Sequence, residues 1–120
     1  MSEVEYLLKT LFPIHRSITG KGNKKTLEIL KDICPLDIKS IKSGTEVYDW
    51  KVPSEWNVDS AWIKDEDGNT IVDFETNNVH LVSYSEPIDR LMTFDELEPH
   101  LHYIKSKTNA IPYRTSYYKN

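Results

Sequence analysis

Pro35 divides this 120-residue chain into two regimes of hydrophobic spacing. Before it, apolar side chains recur every three to four residues. After it, they alternate. A helix buries a stripe with a 3.6-residue period and a strand buries one face with a period of two, so one change of period predicts an α+β fold. In the first regime, Ser2 and Glu5 form a capping box ahead of Val4, Leu7, Leu8 and Leu11, which gives one amphipathic helix. Pro13 ends it. Residues 12–22, with two Gly and one Pro, form a loop. Asn23 is the expected cap of a second helix, with Leu27, Leu30 and Ile33 facing inward.

The second regime predicts about five strands in a small, mainly antiparallel sheet. They run over 36–41, 46–52, 58–64, 70–74 and 79–84, punctuated by Ser43-Gly44, Pro53 and Asn77-Asn78. Asp65-Glu-Asp-Gly-Asn69 reads as a hairpin tip, because Asp-Gly suits a turn that needs positive φ. Thr93 and Glu96 form a second capping box and open a short helix with Phe94 and Leu97 inward. From Thr108 an extended tail leads out, and its last seven residues read as a strand cut midway. A chain of this length is expected to bury roughly two-thirds of its unfolded surface.

Charge is segregated along the chain. Residues 1–45 carry eight basic and five acidic side chains, 46–100 carry three and fourteen, and 101–120 carry four and none. An acidic centre repels phosphate backbones, so no nucleic-acid partner is expected. Basic ends around that centre suggest that the two ends belong together. The single Cys34 cannot close an internal disulfide, and no apolar run reaches the ~20 residues of a membrane span. The expectation is a cytoplasmic protein with no membrane partner.

Several residue groups invite a chemical reading. His100 and His102 could share a zinc ion if they lay on one strand face, but at a helix end they diverge and simply complement its dipole. They are weak metal candidates, and two ligands do not complete a site. Arg16 offers a planar fork to a carboxylate or phosphate, or satisfies backbone carbonyls. Ser17 lacks the strand-to-helix turn of a hydrolase nucleophile. Lys21, Lys24 and Lys25 lie at a helix start without the spacing of a phosphate-binding loop. Trp50, Trp56 and Trp62, with Tyr48 and Tyr84, read as core aromatics or as a sugar-stacking platform. Asp65, Glu66, Asp67 and Asp73 lack the calcium-loop series and read as a turn.

The stretch Leu11-Phe-Pro-Ile-His-Arg-Ser-Ile-Thr-Gly20, with Thr26-Leu-Glu-Ile-Leu30, resembles the opening of aminopeptidase-like proteins often encoded among polysaccharide-biosynthesis genes. The likeness continues in Ser43-Gly-Thr, Tyr48-Asp-Trp50, Val52-Pro-Ser-Glu-Trp-Asn57 and Asp73-Phe74. It runs on through Val79-His-Leu-Val-Ser-Tyr-Ser85, His100-Leu-His102 and Ile111-Pro-Tyr-Arg-Thr-Ser-Tyr-Tyr118. Two departures stand out: His15 replaces a Cys or other small polar residue, and residues 105–109 lack the usual Pro-Asp.

The resemblance implies a metallopeptidase core similar to zinc aminopeptidases, with a β-rich domain of the swivelling or protease-associated type inserted near its start. Residues 1–35 would then be core helices, 36–107 the inserted domain, and 108–120 the return toward the core. The family's metal ligands and general base lie beyond the Tyr-Tyr segment. The resemblance therefore implies an N-terminal or truncated portion that is inactive alone and holds no cofactor of its own, with zinc only in longer proteins. Its partner would be a downstream core or another copy of the chain. The implied substrate-facing residues are Arg16, Tyr117 and Tyr118. The alternative is a stand-alone saccharide- or protein-binding module that uses the Trp and Tyr surface.

Overall fold

A computed structural model describes residues 2–116. The chain divides into two units, Met1–Asp59 and Ser60–Asn120. It is α+β, with three helices and two separate two-stranded antiparallel sheets among the described residues.

In the first unit, helix α1 spans Glu3–Leu11. The Ser2 side chain accepts from the Glu5 amide at 3.2 Å, as the cap requires, while the Glu5 carboxylate turns to Lys9 at 2.8 Å. Leu7 and Leu11 are half-buried, but Val4 and Leu8 stand 67% and 64% exposed. Only the Leu7–Leu11 flank of the expected apolar face is thus covered. Helix α2 spans Lys21–Lys31 and begins earlier than expected, with Gly20 rather than Asn23 at its cap. The inward set differs too. Gly22, Asn23, Thr26, Ile29 and Leu30 are half-buried, whereas Leu27 and Ile33 are exposed.

Residues 36–41 carry no strand, since no ladder partner reaches them. The strand expected over 46–52 is itself a hairpin, β1 at Glu46–Val47 pairing antiparallel with β2 at Trp50–Lys51. Its two-residue turn places Tyr48 at φ 53. The pairing extends outward through Val52 N to Thr45 O at 2.9 Å and Gly44 N to Val52 O at 2.8 Å. Gly44 sits at φ 81 in the turn closed by Thr45 N and Lys42 O, the third position of a type II turn, where glycine escapes the steric cost.

In the second unit, β3 at Trp62–Lys64 pairs with β4 at Thr70–Asp73. The pairing is prolonged by Phe74 N to Ala61 O at 2.9 Å. Ala61, Ile63, Val72 and Phe74 are half-buried on one side, while Trp62 faces out with the Lys64 ammonium 4.7 Å from its ring centre. Ile63 opposes Val72 but Lys64 opposes Thr70, so Ile71 is the extra residue of a bulge. The predicted Asp-Gly tip is present: Asp65 accepts from the Asn69 amide and side chain at 2.8 and 2.9 Å, and Gly68 takes φ 83. Those two bonds hold the Asp65 carboxyl below the usual range.

The strand expected over 79–84 is replaced by a 3₁₀ turn at Asn78–His80, whose start is capped by the Asn77 side chain. Tyr84 at φ 65 then turns the chain away from any ladder. Helix α3 is one turn, Phe94–Leu97, with the complete Thr93–Glu96 capping box, and it runs into a 3₁₀ turn at Glu98–His100.

The expectation of an ordinary core fails. None of the described residues is buried, and twenty large hydrophobics are exposed. The chain exposes 10624 Å² at 14.0 kDa, against about 6,700 Å² from the size scaling of folded monomers. The unfolded chain would expose about 20,000 Å², so roughly half its surface is removed from water rather than two-thirds.

A Cβ at Gly68 would meet nothing within 4 Å, so Gly68→Ala tests conformation alone. The expected cost is about 1 kcal/mol, read as about fivefold faster exchange of the Asp65 amide. Gly68→Asn, which tolerates positive φ, should restore most of the protection.

Candidate functional site

The loop between α1 and α2 holds most of the motif residues, and the first unit folds it against Ser54–Asn57. Arg16 lies one turn beyond α1 and donates through Nη1 to the Leu11 carbonyl at 2.8 Å and to Thr26 Oγ1 at 3.4 Å. A cation on the last carbonyls of a helix is favoured by its dipole. Arg16 therefore ties the end of α1 to α2. Ser17 makes a local turn: its hydroxyl donates to the Thr19 carbonyl at 2.7 Å and accepts from the Thr19 amide at 3.3 Å. The Asn23 side chain donates to the Ser17 carbonyl at 2.7 Å. That bond explains why Asn23 lies inside α2 instead of capping it.

The α2 N-terminus is capped from a distant segment. Asn57 Oδ1 accepts from the Lys21 amide at 2.8 Å. Thr19 Oγ1 accepts from the Trp56 amide at 3.2 Å and donates to the Ser54 carbonyl at 3.5 Å. Gly20 makes this approach possible, and Gly22 lets the loop itself fold back against the helix start. A Cβ on Gly20 would run into the Trp56 carbonyl and the Asn57 side chain, and one on Gly22 into the His15 carbonyl. His15 stacks edge-on to Trp56, with ring centres 5.8 Å apart. Partial burial, then the neighbouring Arg16 charge, lowers the His15 pKa from 6.5. Asn57 and Thr19 were invisible as partners in the sequence, because a contact across 36 residues leaves no periodic trace.

The other candidates are scattered. His100 ends a 3₁₀ turn, His102 follows it, and both are exposed. Among the described residues no group of three or more His, Cys, Asp or Glu could hold a metal ion. The donor set a zinc peptidase needs does not fit the residues described here. Lys24 makes only a 4.0 Å pair with Glu28 at an exposed helix start. Trp50 and Trp62 are 54% and 53% exposed, whereas Trp56 is half-buried. Tyr117 and Tyr118 lie outside the described residues. Just before them, Ser116 Oγ donates to the Ser83 carbonyl at 2.6 Å.

Residues 55–120 match a family described as a domain of unknown function, DUF2172. The chain belongs to the DUF2172 family. The match begins at Glu55, beside the two residues that hold the α2 start. The chain is also 50% identical over 117 residues to a Clostridium acetobutylicum protein provisionally named for polysaccharide biosynthesis with an aminopeptidase-like domain. That alignment covers 98% of this chain and 27% of the relative. A crystal structure from the same organism, provisionally named a peptidase, superposes with a TM-score of 0.92 at 50% identity, over 98% of this chain and 28% of that one. The DUF2172 chain thus spans little more than a quarter of the length of the relatives it matches.

Gly22→Ala should abolish protection of the Lys21 amide against exchange, because the helix start must move off the His15 carbonyl. Gly44→Ala, strained but meeting nothing within 4 Å, should leave that amide untouched. His15 should titrate by NMR with a midpoint below 6.5, and Trp56→Ala should move the midpoint back toward that value. A lowered folded pKa means the unfolded chain binds the proton more readily. The His15 contribution is therefore present above 6.5 and is lost as pH falls through the folded value.

Proposed function

We propose that this DUF2172 chain is the non-catalytic N-terminal part of an aminopeptidase-like protein, positioning substrate at a metallopeptidase-like cleft supplied by downstream sequence. The observation that carries this reading is a 50% identity spanning 98% of the chain but 27% of a relative named for an aminopeptidase-like domain. The described residues offer no donor set of their own. In this reading residues 1–35 contribute helices to the peptidase-like core and 36–107 form an inserted β-rich domain. That domain would be of the swivelling or protease-associated type, with about five strands once completed. Residues 108–120 return toward the core. Zinc belongs to the longer proteins, and the setting is cytoplasmic. No described helix is long and apolar enough to cross a membrane.

A domain of this kind acts by binding and orienting substrate and by excluding water, so its loss lowers kcat/KM. Arg16, Tyr117 and Tyr118 are the residues assigned to substrate. For Arg16 the anchoring bonds to Leu11 and Thr26 fix where its guanidinium is held.

A second reading, a saccharide-binding module, draws on the exposure of Trp50 and Trp62. Stacking of a sugar on either ring would quench and shift its emission, a signal that Trp→Phe variants assign one ring at a time.

The test of the main reading joins this chain to the remainder of the Clostridium relative in place of the matched segment. The isolated chain should release no product from aminoacyl-p-nitroanilides with or without added zinc, and the chimera should. Within the chimera, Arg16→Ala should raise KM by about tenfold, with Arg16→Lys in between and thermal stability as the control. Zinc-dependent turnover by the isolated chain, lost in His100→Ala or His102→Ala, would overturn the reading.

A further inference from the structure

Helix α1 carries an apolar face broader than its own unit covers. Val4, Leu8 and Phe12 follow one another at intervals of four, and the C-cap residue Phe12 keeps helical dihedrals, so the three side chains stack along one line. They are 67%, 64% and 83% exposed, and a shallow recess lined by Leu8, Lys9 and Phe12 lies along the row. Leu7 and Leu11 already supply the half-buried side of the helix. At 100° per residue these two adjoin Val4, Leu8 and Phe12, so the five side chains make one apolar face about 140° wide, and only its Leu7–Leu11 flank is half-buried.

We propose that the Val4–Leu8–Phe12 face of α1 seats the remainder of the longer polypeptide, the part supplying the other 73% of the relative's length. This rests on the reading of the chain as the N-terminal part of an aminopeptidase-like protein, and it names the surface through which the two parts join. Size decides between that occupant and a second copy. A stable interface between free partners takes about 800 Å² and 20–30 residues on each side. Three side chains on one helix fall far short of that. A tethered partner is present at an effective concentration on the order of millimolar, and a small patch then suffices. The flanking charges are already partly spent within the helix, since Lys9 pairs with Glu5 at 2.8 Å. What α1 offers is therefore chiefly apolar contact.

The test compares Leu8→Cys, in a Cys34→Ser background, in the isolated chain and in the chimera described above. Labelling by an uncharged maleimide is read at the residue-8 peptide by mass spectrometry. The proposal expects rapid labelling in the isolated chain at every concentration and at least tenfold slower labelling in the folded chimera, with equal rates after denaturation. Equal rates in both native proteins would overturn it. So would protection that grows with concentration in the isolated chain, which would assign the stripe to a second copy. Phe12→Cys gives an independent reading if Leu8→Cys does not fold. Turnover of the same chimera separates the two ideas: an exposed stripe with intact turnover sinks the docking surface alone, and a protected stripe without turnover sinks the functional reading alone.

Discussion

The first unit depends on one polar constraint, the hold of Thr19, Gly20 and Lys21 on Ser54, Trp56 and Asn57. A helix start leaves its first amides without partners, and a glycine cap supplies no side chain for them. Asn57 provides what Gly20 lacks, and Thr19 meets the Trp56 amide in return. The approach is close enough that Gly20 has no room for a Cβ, and the His15 carbonyl leaves none at Gly22. Arg16 then pins the end of α1 to α2, and His15 packs on Trp56. Ser17, Thr19 and Asn23 of this loop spend their hydrogen bonds on architecture, and the same frame holds the Arg16 guanidinium in place.

That constraint matters more here than in an ordinary domain, because apolar burial contributes less. At about 25 cal/mol per Å² of apolar surface, roughly 4,000 Å² of excess exposure is a large forfeited term even if only half of it is apolar. Net stabilities are only on the order of 5–15 kcal/mol. Local devices carry the fold instead: the Thr93–Glu96 box, the Asp65–Asn69 tip and the glycine-dependent turns. The exposed surface is what the proposed downstream core would cover.

Legibility in the sequence followed the range of the interaction. Capping at Ser2 and Thr93 and the Asp65–Asn69 hairpin were readable because each closes within five residues. Alternation over 58–64 and 70–74 found β3 and β4, since a half-buried face imposes a period of two. The same rule failed at 36–41, 46–52 and 79–84. Alternation reports that a residue suits a strand but not whether a partner strand exists, and positive φ at Tyr48 and Tyr84 breaks the run without any glycine to announce it. Asn23 had the look of a cap but bonds the Ser17 carbonyl, because Asn57, 36 residues beyond Lys21, holds the helix start. Among the described residues, the loop around Arg16 meets a distant segment through His15, Thr19 and Lys21, while Arg16 itself bonds Leu11 and Thr26. The histidine pair stayed at an exposed turn. The motif string identified the family relationship that local pattern alone could not.

The most direct measurement is scanning calorimetry of the isolated chain beside the chimera that carries the relative's remaining sequence. The account predicts a broad transition of low enthalpy for the chain alone, and a sharp one in the chimera whose enthalpy exceeds that of its separate parts. A globular domain of this length would absorb about 80 kcal/mol near 60 °C. A sharp, concentration-independent transition of that size in the isolated chain would contradict the claim that its apolar surface is completed from outside.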